Sequence, residues 1–242
     1  MIHDRIKNGA NLLADHVFKF DFLNDEFTKL PKGLQDIINN EKKRKKLIVY
    51  INPPYAEATS TATRVGTKEN KIGVSTGNKI HSKYSLFLGK ARNELFAQFL
   101  IRIFKEIQCC KIANFATLKA LCAFNFVDFR QNFTAKLESL FVVPADTFDN
   151  VKGQFPIGFH IWDTEKNELF EKITADVFNK DGEYTGQKTI YGCKEIPSLN
   201  DWAIKVLDEK NKIGHLSCRG SSDFQNQNLV FISSHIVTAS DR

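Results

Sequence analysis

The sequence has no Cys-x-x-Cys pair and no histidine spaced beside a cysteine as a metal-ligand set. This excludes the thiol frameworks of zinc ribbons and redox couples. Its five cysteines, Cys109, Cys110, Cys122, Cys193 and Cys218, are odd in number and scattered. They read as reduced thiols of a cytoplasmic protein, each acting as a small apolar residue. No apolar run is long enough to span a bilayer, and no signal-peptide pattern opens the chain, so no membrane partner is expected. No internal repeat and no nuclease-type Asp-x-Glu-x-Lys spacing stands out. Glycine is scarce at the start: Gly9 is the only one before Gly33.

What is present fits a globular protein. The 242 residues suffice for one large domain, or a domain plus part of another. The residues are 42% hydrophobic, enough to fill a core. The formal net charge of +6 points weakly toward an anionic partner.

Periodicity divides the chain into elements. His16 to Phe22 alternates as a strand, with Asp21 near its carboxyl end. A helical stretch from about Asn24 to Lys46 is broken near Pro31-Lys32-Gly33 and ends in a basic run. Leu47 to Ile51 is a continuous apolar run of the kind buried on both faces of a parallel sheet. Residues 56–90 have little periodicity and read as a long loop, whose Arg64, Lys68, Lys71, Lys79 and Lys83 could meet phosphates. Residues 91–108 form an amphipathic helix, with Leu95, Phe99, Ile103 and Ile107 at four-residue spacing. Lys111 to Leu118 is a strand, Phe126 to Phe133 a helix, and Leu137 to Pro144 and Phe155 to Asp163 two more strands. After Trp162 the segments are short and mixed, and Ser198 to Asp208 resembles a capped helix. The strand–helix alternation implies an α/β fold with a mainly parallel sheet and an antiparallel edge.

Residues 52–55, directly after the Leu47–Ile51 run, read Asn-Pro-Pro-Tyr. A planar amino group on an aromatic ring is a poor nucleophile, because its lone pair is delocalised. Two acceptors that hold its N–H groups favour pyramidal nitrogen and stabilise the positive charge developed on alkylation. Asn52 offers a side-chain carbonyl oxygen and Pro53 a backbone carbonyl. Pro53 and Pro54 have fixed φ and hold these acceptors with little freedom. Tyr55 offers a ring face for stacking on a base. The end of a parallel strand is also where open α/β sheets place their sites.

Together, FDFLND (20–25), LIVYINPPY (47–55), NELFAQFLIRIF (93–104) and TFDNVKGQFPIGFHIW (147–162) resemble the adenine-specific (N6) DNA methyltransferases of restriction–modification systems. The resemblance covers residues 1–165 in the family's order. It implies a partial S-adenosylmethionine-dependent, Rossmann-like catalytic domain over 1–165, with a C-terminal extension over 166–242 leading toward a target-recognition region. It also implies site roles. Asn52, Pro53, Pro54 and Tyr55 would form the catalytic motif, and Tyr55 and Phe148 would stack on an adenine flipped out of double-stranded DNA. Asp21 and Phe22 match the segment that contacts the adenine of S-adenosylmethionine. No metal is implied.

The family's glycine-containing cofactor turn should precede Asp21, and it is absent. The chain is therefore expected to be an internal piece of a longer enzyme with an incomplete cofactor pocket, completed by an upstream chain. The edge of Leu47–Ile51 is then expected to be unpaired and apolar. Two alternatives stay open. The same motif serves methyltransferases acting on RNA or on a protein glutamine, and the basic loop alone could make a non-catalytic DNA-binding fragment.

Overall fold

The computed structural model describes residues 7–9, 16–52, 76–148, 151, 155–192, 216–217 and 233–234. The helical stretch before Asn52 divides into a 3-10 turn at Phe27–Lys29, helix α1 (Lys32–Ile38) and helix α2 (Glu41–Arg44). Pro31 caps α1, where its missing N–H costs no hydrogen bond. Asn40 caps α2 by accepting from the Lys43 amide. Strand β1 (Ile48–Ile51) follows.

Short helices α3 (Lys79–Lys83) and α4 (Ser85–Leu88) then lead to α5 (Leu95–Glu106). They correct the expectation of a loop through residue 90. Asn78 starts α3 by accepting from the His81 amide, and Ile80, Tyr84 and Leu88 give it a buried face. Strand β2 (Lys111–Thr117) is followed by α6 (Lys119–Cys122) and α7 (Val127–Asn132). Strands β3 (Ala135–Pro144), β4 (Pro156–Asn167), β5 (Lys172–Phe178) and β6 (Tyr184–Tyr191) complete the main sheet. A separate ribbon pairs β7 (Leu216–Ser217) with β8 (Ser233–Ser234).

The fold is mixed α/β. The sheet order is β1-β2-β4-β3-β5-β6, with parallel pairings at β1–β2 and β3–β5 and antiparallel pairings elsewhere. Strands β1, β2, β3 and β5 therefore share one direction, as the alternation implied. The antiparallel strand expected at an edge is placed differently. Strand β4 lies inside the sheet, because the short β3–β4 connection lets it fold back and pair with both β2 and β3. A second antiparallel strand, β6, forms the far edge.

One face of the sheet carries the main core. Ile112, Ala116, Leu140, Val142 and Trp162 pack with residues of α5 and α7. Ring contacts lock the layers, with Phe96 on Phe126 at 5.3 Å, Phe104 on Phe133 at 5.1 Å and Phe133 on Trp162 at 5.0 Å. Helix α5 is buried almost all round, so its two buried polar side chains need partners. Gln98 accepts from Asn78 and donates to the Arg92 carbonyl. Arg102 donates to Glu106 and to the carbonyls of Phe22 and Asp25.

The expected strand at His16–Phe22 is not formed. Among the described residues no strand lies beside it, and an isolated strand cannot satisfy its backbone. The segment is held through its side chains and one carbonyl instead. Phe22 stacks on Phe99 at 5.0 Å, and Arg102 lies over the rings of Phe22 and Phe27.

Strand β1 also departs from one expectation. It is parallel to β2, but it is not buried on both faces. Among the described residues it is the outermost strand of the sheet, and Ile48 and Tyr50 are 66% and 62% exposed. Ser198 to Asp208 lies outside the described residues.

Candidate functional site

The carboxyl ends of β1, β2 and β3 lie at one end of the sheet, together with the amino ends of α5 and β4. Asn52 is the residue after β1, and its side chain is exposed. It makes no hydrogen bond among the described residues, so its carbonyl oxygen is free to accept one. Pro53, Pro54 and Tyr55 lie outside the described residues, as do Arg64, Lys68 and Lys71.

Ile51 is in register with Asn114 on β2, which sets Asn52 beside Phe115. The Phe115 ring meets Phe148 at 5.2 Å, edge to face. Phe148 follows β3 and the turn at Ala145–Thr147. It is half-buried against a small second core of Val143, Ala145 and Ile157. The structure thus brings Asn52 and Phe148 to one end of the sheet, with the Phe115 ring next to both.

Asp21 and Phe22 lie on the other side of β1. The Asp21 carboxylate closes its own turn, accepting from the Leu23 amide at 3.0 Å and from Asn24 Nδ2 at 2.9 Å. Phe22 belongs to the core through Phe99. With Phe18, Phe20 and Phe27 it lines an apolar groove whose other wall is Ile48, Val49 and Tyr50. Among the described residues, every side chain lining it is a hydrocarbon apart from the Tyr50 hydroxyl. Such a groove does not fit the charged methionine end or the ribose of S-adenosylmethionine.

Two further basic residues of the expected phosphate-binding loop are already engaged. Lys79 pairs with Glu26 at 3.7 Å, and Lys83 pairs with Glu106 at 2.7 Å. Among the described residues no cluster of His, Cys, Asp and Glu could hold a metal. No described helix is long and apolar enough to cross a membrane. Among the described residues Cys109, Cys110 and Cys122 form no disulfide, and burial raises the Cys110 thiol pKa, which makes it inert.

Several polar groups near the site are not visible in the motif. Glu94, directly before α5, pairs with Lys119 at the start of α6 at 2.9 Å. Thr117 Oγ1 and Asp146 Oδ1, at the ends of β2 and β3, are buried without a hydrogen-bond partner among the described residues. One turn deeper, Trp162 Nε1 donates to Asn114 Oδ1 at 3.2 Å. His160 stacks on Trp162 at 5.8 Å. Among the described residues neither His160 nitrogen makes a hydrogen bond of good geometry, although the Asn114 and Gly158 carbonyls lie close. Burial lowers its pKa from 6.5 to about 4. Gly158 leaves room for the ring, since a Cβ there would lie 2.8 Å from His160 Cε1. A polar residue alternating with apolar ones along a buried strand is the signal that could have marked Asn114 and His160.

No family model matches the sequence, and no curated protein matches it. Several solved structures are loosely similar. A protein described as a type I restriction-enzyme modification subunit from Vibrio vulnificus YJ016 is 12% identical, with TM-score 0.36, over 66% of this chain and 32% of its own. A DrdV–DNA complex is 11% identical, with TM-score 0.39, over 70% of this chain and 19% of its own. The ATP-dependent Type ISP restriction-modification enzyme LlaBIII bound to DNA is 9% identical, with TM-score 0.39, over 77% of this chain and 15% of its own. The chain spans less than a third of each. Likenesses this loose carry no argument about fold or activity.

Proposed function

We propose that this chain is the acceptor half of a DNA adenine-N6 methyltransferase of the restriction–modification type. The observation that carries the reading is Asn52: a carboxamide, exposed and without a hydrogen bond among the described residues, at the carboxyl end of a parallel strand and followed in sequence by Pro-Pro-Tyr. Its oxygen would accept one N–H of the adenine amino group, and the Pro53 carbonyl would accept the other. Held in this way, the nitrogen lone pair would be released from the ring to form the new nitrogen–carbon bond, while the donor's sulfur–carbon bond breaks with its electron pair leaving on sulfur and the surplus amino proton passes to solvent. Tyr55, with Phe148 from the opposite side, would hold the flipped base by its ring faces. Phe148 supports this role in part, since its edge-on contact with Phe115 leaves it only half-buried.

S-adenosylmethionine would be the methyl donor, and double-stranded DNA the substrate. The apolar groove beside Asp21 and Phe22 favours a donor pocket completed by residues of an upstream chain. Calorimetry with the purified chain alone is therefore expected to show no micromolar binding of S-adenosylmethionine. Co-expressed with the upstream reading frame, the chain is expected to transfer label to N6 of adenine in duplex DNA. Asn52→Ala should reduce that rate by about 10²-fold or more, as loss of one transition-state hydrogen bond does. Methylation of RNA or of a glutamine peptide in preference to DNA would reject the substrate. Full activity in Asn52→Ala would reject the site.

A further inference from the structure

Gly89, just after α4, builds a seam between α4 and α7. Its φ is +52°, and a Cβ there would lie 1.8 Å from Asp128 Oδ2 on α7. Only glycine lets the chain cross α7 this closely. Contacts on either side fix the register of the seam. Lys90 lies over the Phe124 ring at 5.7 Å, and Asn132 Nδ2 donates to the Phe87 carbonyl at 3.4 Å. Held this way, α4 turns Leu86 outward, where it is 90% exposed, and Phe124 and Phe87 are 57% and 36% exposed. Single exposed apolar side chains are ordinary on a protein surface, but three along one seam form a patch of the kind that meets a partner.

The charges along the seam restrict what can occupy it. Lys105 lies over the Phe87 ring at 4.6 Å. The order along α7 is therefore Lys90 beside Phe124, Asp128 beside Gly89, and Lys105 beside Phe87. From residue 124 to 132 a helix rises about 12 Å, roughly two turns. None of these three charges has an ion pair among the described residues, whereas Lys83 nearby is neutralised by Glu106. The rings attract the two lysines but carry no net charge to cancel theirs. The seam thus runs positive, negative, positive, with hydrocarbon between. Asp128 in its middle repels a phosphate backbone. Two copies of this chain paired about a two-fold axis would set Asp128 against Asp128 and lysine against lysine. A helix carrying acid, base and acid at four-residue spacing matches the order and the length, because such residues share one face.

We propose that this seam docks an amphipathic helix of a different polypeptide, with carboxylates meeting Lys90 and Lys105, a cation meeting Asp128, and apolar side chains covering Leu86 and Phe124. The inference rests on the seam and its charges, independently of methyl transfer. A chain that docks the helix but methylates nothing would leave it intact.

The test measures fluorescence anisotropy of a labelled, alanine-rich helical peptide titrated with the full chain. The peptide carries Glu, Arg and Glu at four-residue spacing, with leucines beside them on the same face. A control peptide carries Lys, Glu and Lys in their places. The first is expected to bind about tenfold more tightly than the control. Leu86→Ala and Phe124→Ala truncate exposed side chains, and each should weaken that binding about fivefold with an unchanged thermal midpoint. Lys90→Glu combined with Lys105→Glu should reverse the preference between the peptides, which loss of a merely structural contact would not do. No binding of the first peptide, equal binding of both, or an unreversed preference in the double variant would overturn the proposal. So would displacement of the peptide by single-stranded DNA, or sedimentation showing self-association that Leu86→Ala abolishes.

Discussion

Arg102→Met is expected to lower the unfolding free energy by about 3 kcal/mol, the lower end of the range for breaking a buried charged network. The Arg102 side chain is 3% exposed. It donates to Glu106 Oε2 at 2.9 Å, to the Asp25 carbonyl at 2.7 Å and to the Phe22 carbonyl. Its guanidinium also lies over the Phe27 ring at 4.5 Å. Methionine keeps much of the packing volume but leaves both carbonyls without a donor. Glu106 is not stranded, because Lys83 and Tyr84 still donate to it at 2.7 and 2.9 Å, which places the cost at the low end. Because Arg102 reaches about 80 residues back along the chain, the loss should be uneven. Hydrogen exchange at Leu23, Asn24 and Asp25 should rise more than exchange in β2. Urea denaturation with exchange read residue by residue checks both. A loss of less than 1 kcal/mol, or uniform loosening, would mean that the Asp21–Asp25 turn is held by its own Asx bonds alone.

The second large effect is acid sensitivity set by His160. Burial depresses its folded pKa to about 4 from 6.5, so the unfolded chain binds the proton more tightly. The stabilising contribution is fully present above pH 6.5 and is lost as the pH falls toward the folded value. By linkage the loss is about 2 kcal/mol at pH 5 and about 3 kcal/mol at pH 4. Asp163 adds a second, lower step. Burial raises its pKa, but hydrogen bonds from Lys111, the Glu165 amide and Lys166 outweigh burial and hold it at about 2, below 3.8. Its contribution is present above pH 3.8 and is lost as the pH falls toward 2. His160→Leu exchanges two unpaired buried nitrogens for hydrocarbon. It should leave stability at pH 8 unchanged or higher, and should flatten the curve between pH 6.5 and 4. Denaturation midpoints across that range test it. A wild-type curve already flat there would mean that the ring finds a hydrogen-bond partner.

These two residues also show what was legible in the sequence. Helix α5 was, because Leu95, Phe99 and Ile103 recur at its period. The four strands from β1 to β4 were legible from their apolar runs, and Asn52 from its position after the first of them. The roles of Arg102 and His160 were not. Arg102 and Glu106 stand four apart, so that pair is local, but the carbonyls of Phe22 and Asp25 are far away in sequence. His160 meets Asn114 only through the β2–β4 register, which no local pattern specifies. The reading of His16–Phe22 failed for a related reason. Alternating Phe18, Phe20 and Phe22 is a valid strand pattern, but a strand also needs a neighbour, and that is a tertiary property. The helices at Lys79–Lys83 and Ser85–Leu88 were missed because each is about one turn long, too short for periodicity to register.

In the proposed function, Asn52 at the end of β1 meets the amino N–H groups of adenine. That contact is tested most directly without a methyl donor. The labelled full chain is titrated by NMR with 2′-deoxyadenosine and, separately, with N6,N6-dimethyl-2′-deoxyadenosine, which has the same ring but no amino N–H. Deoxyadenosine is expected to shift the Asn52 side-chain carboxamide and the Phe148 ring, and the dimethyl compound to leave Asn52 unmoved. Equal shifts from both compounds, or none at Asn52 from deoxyadenosine, would contradict it.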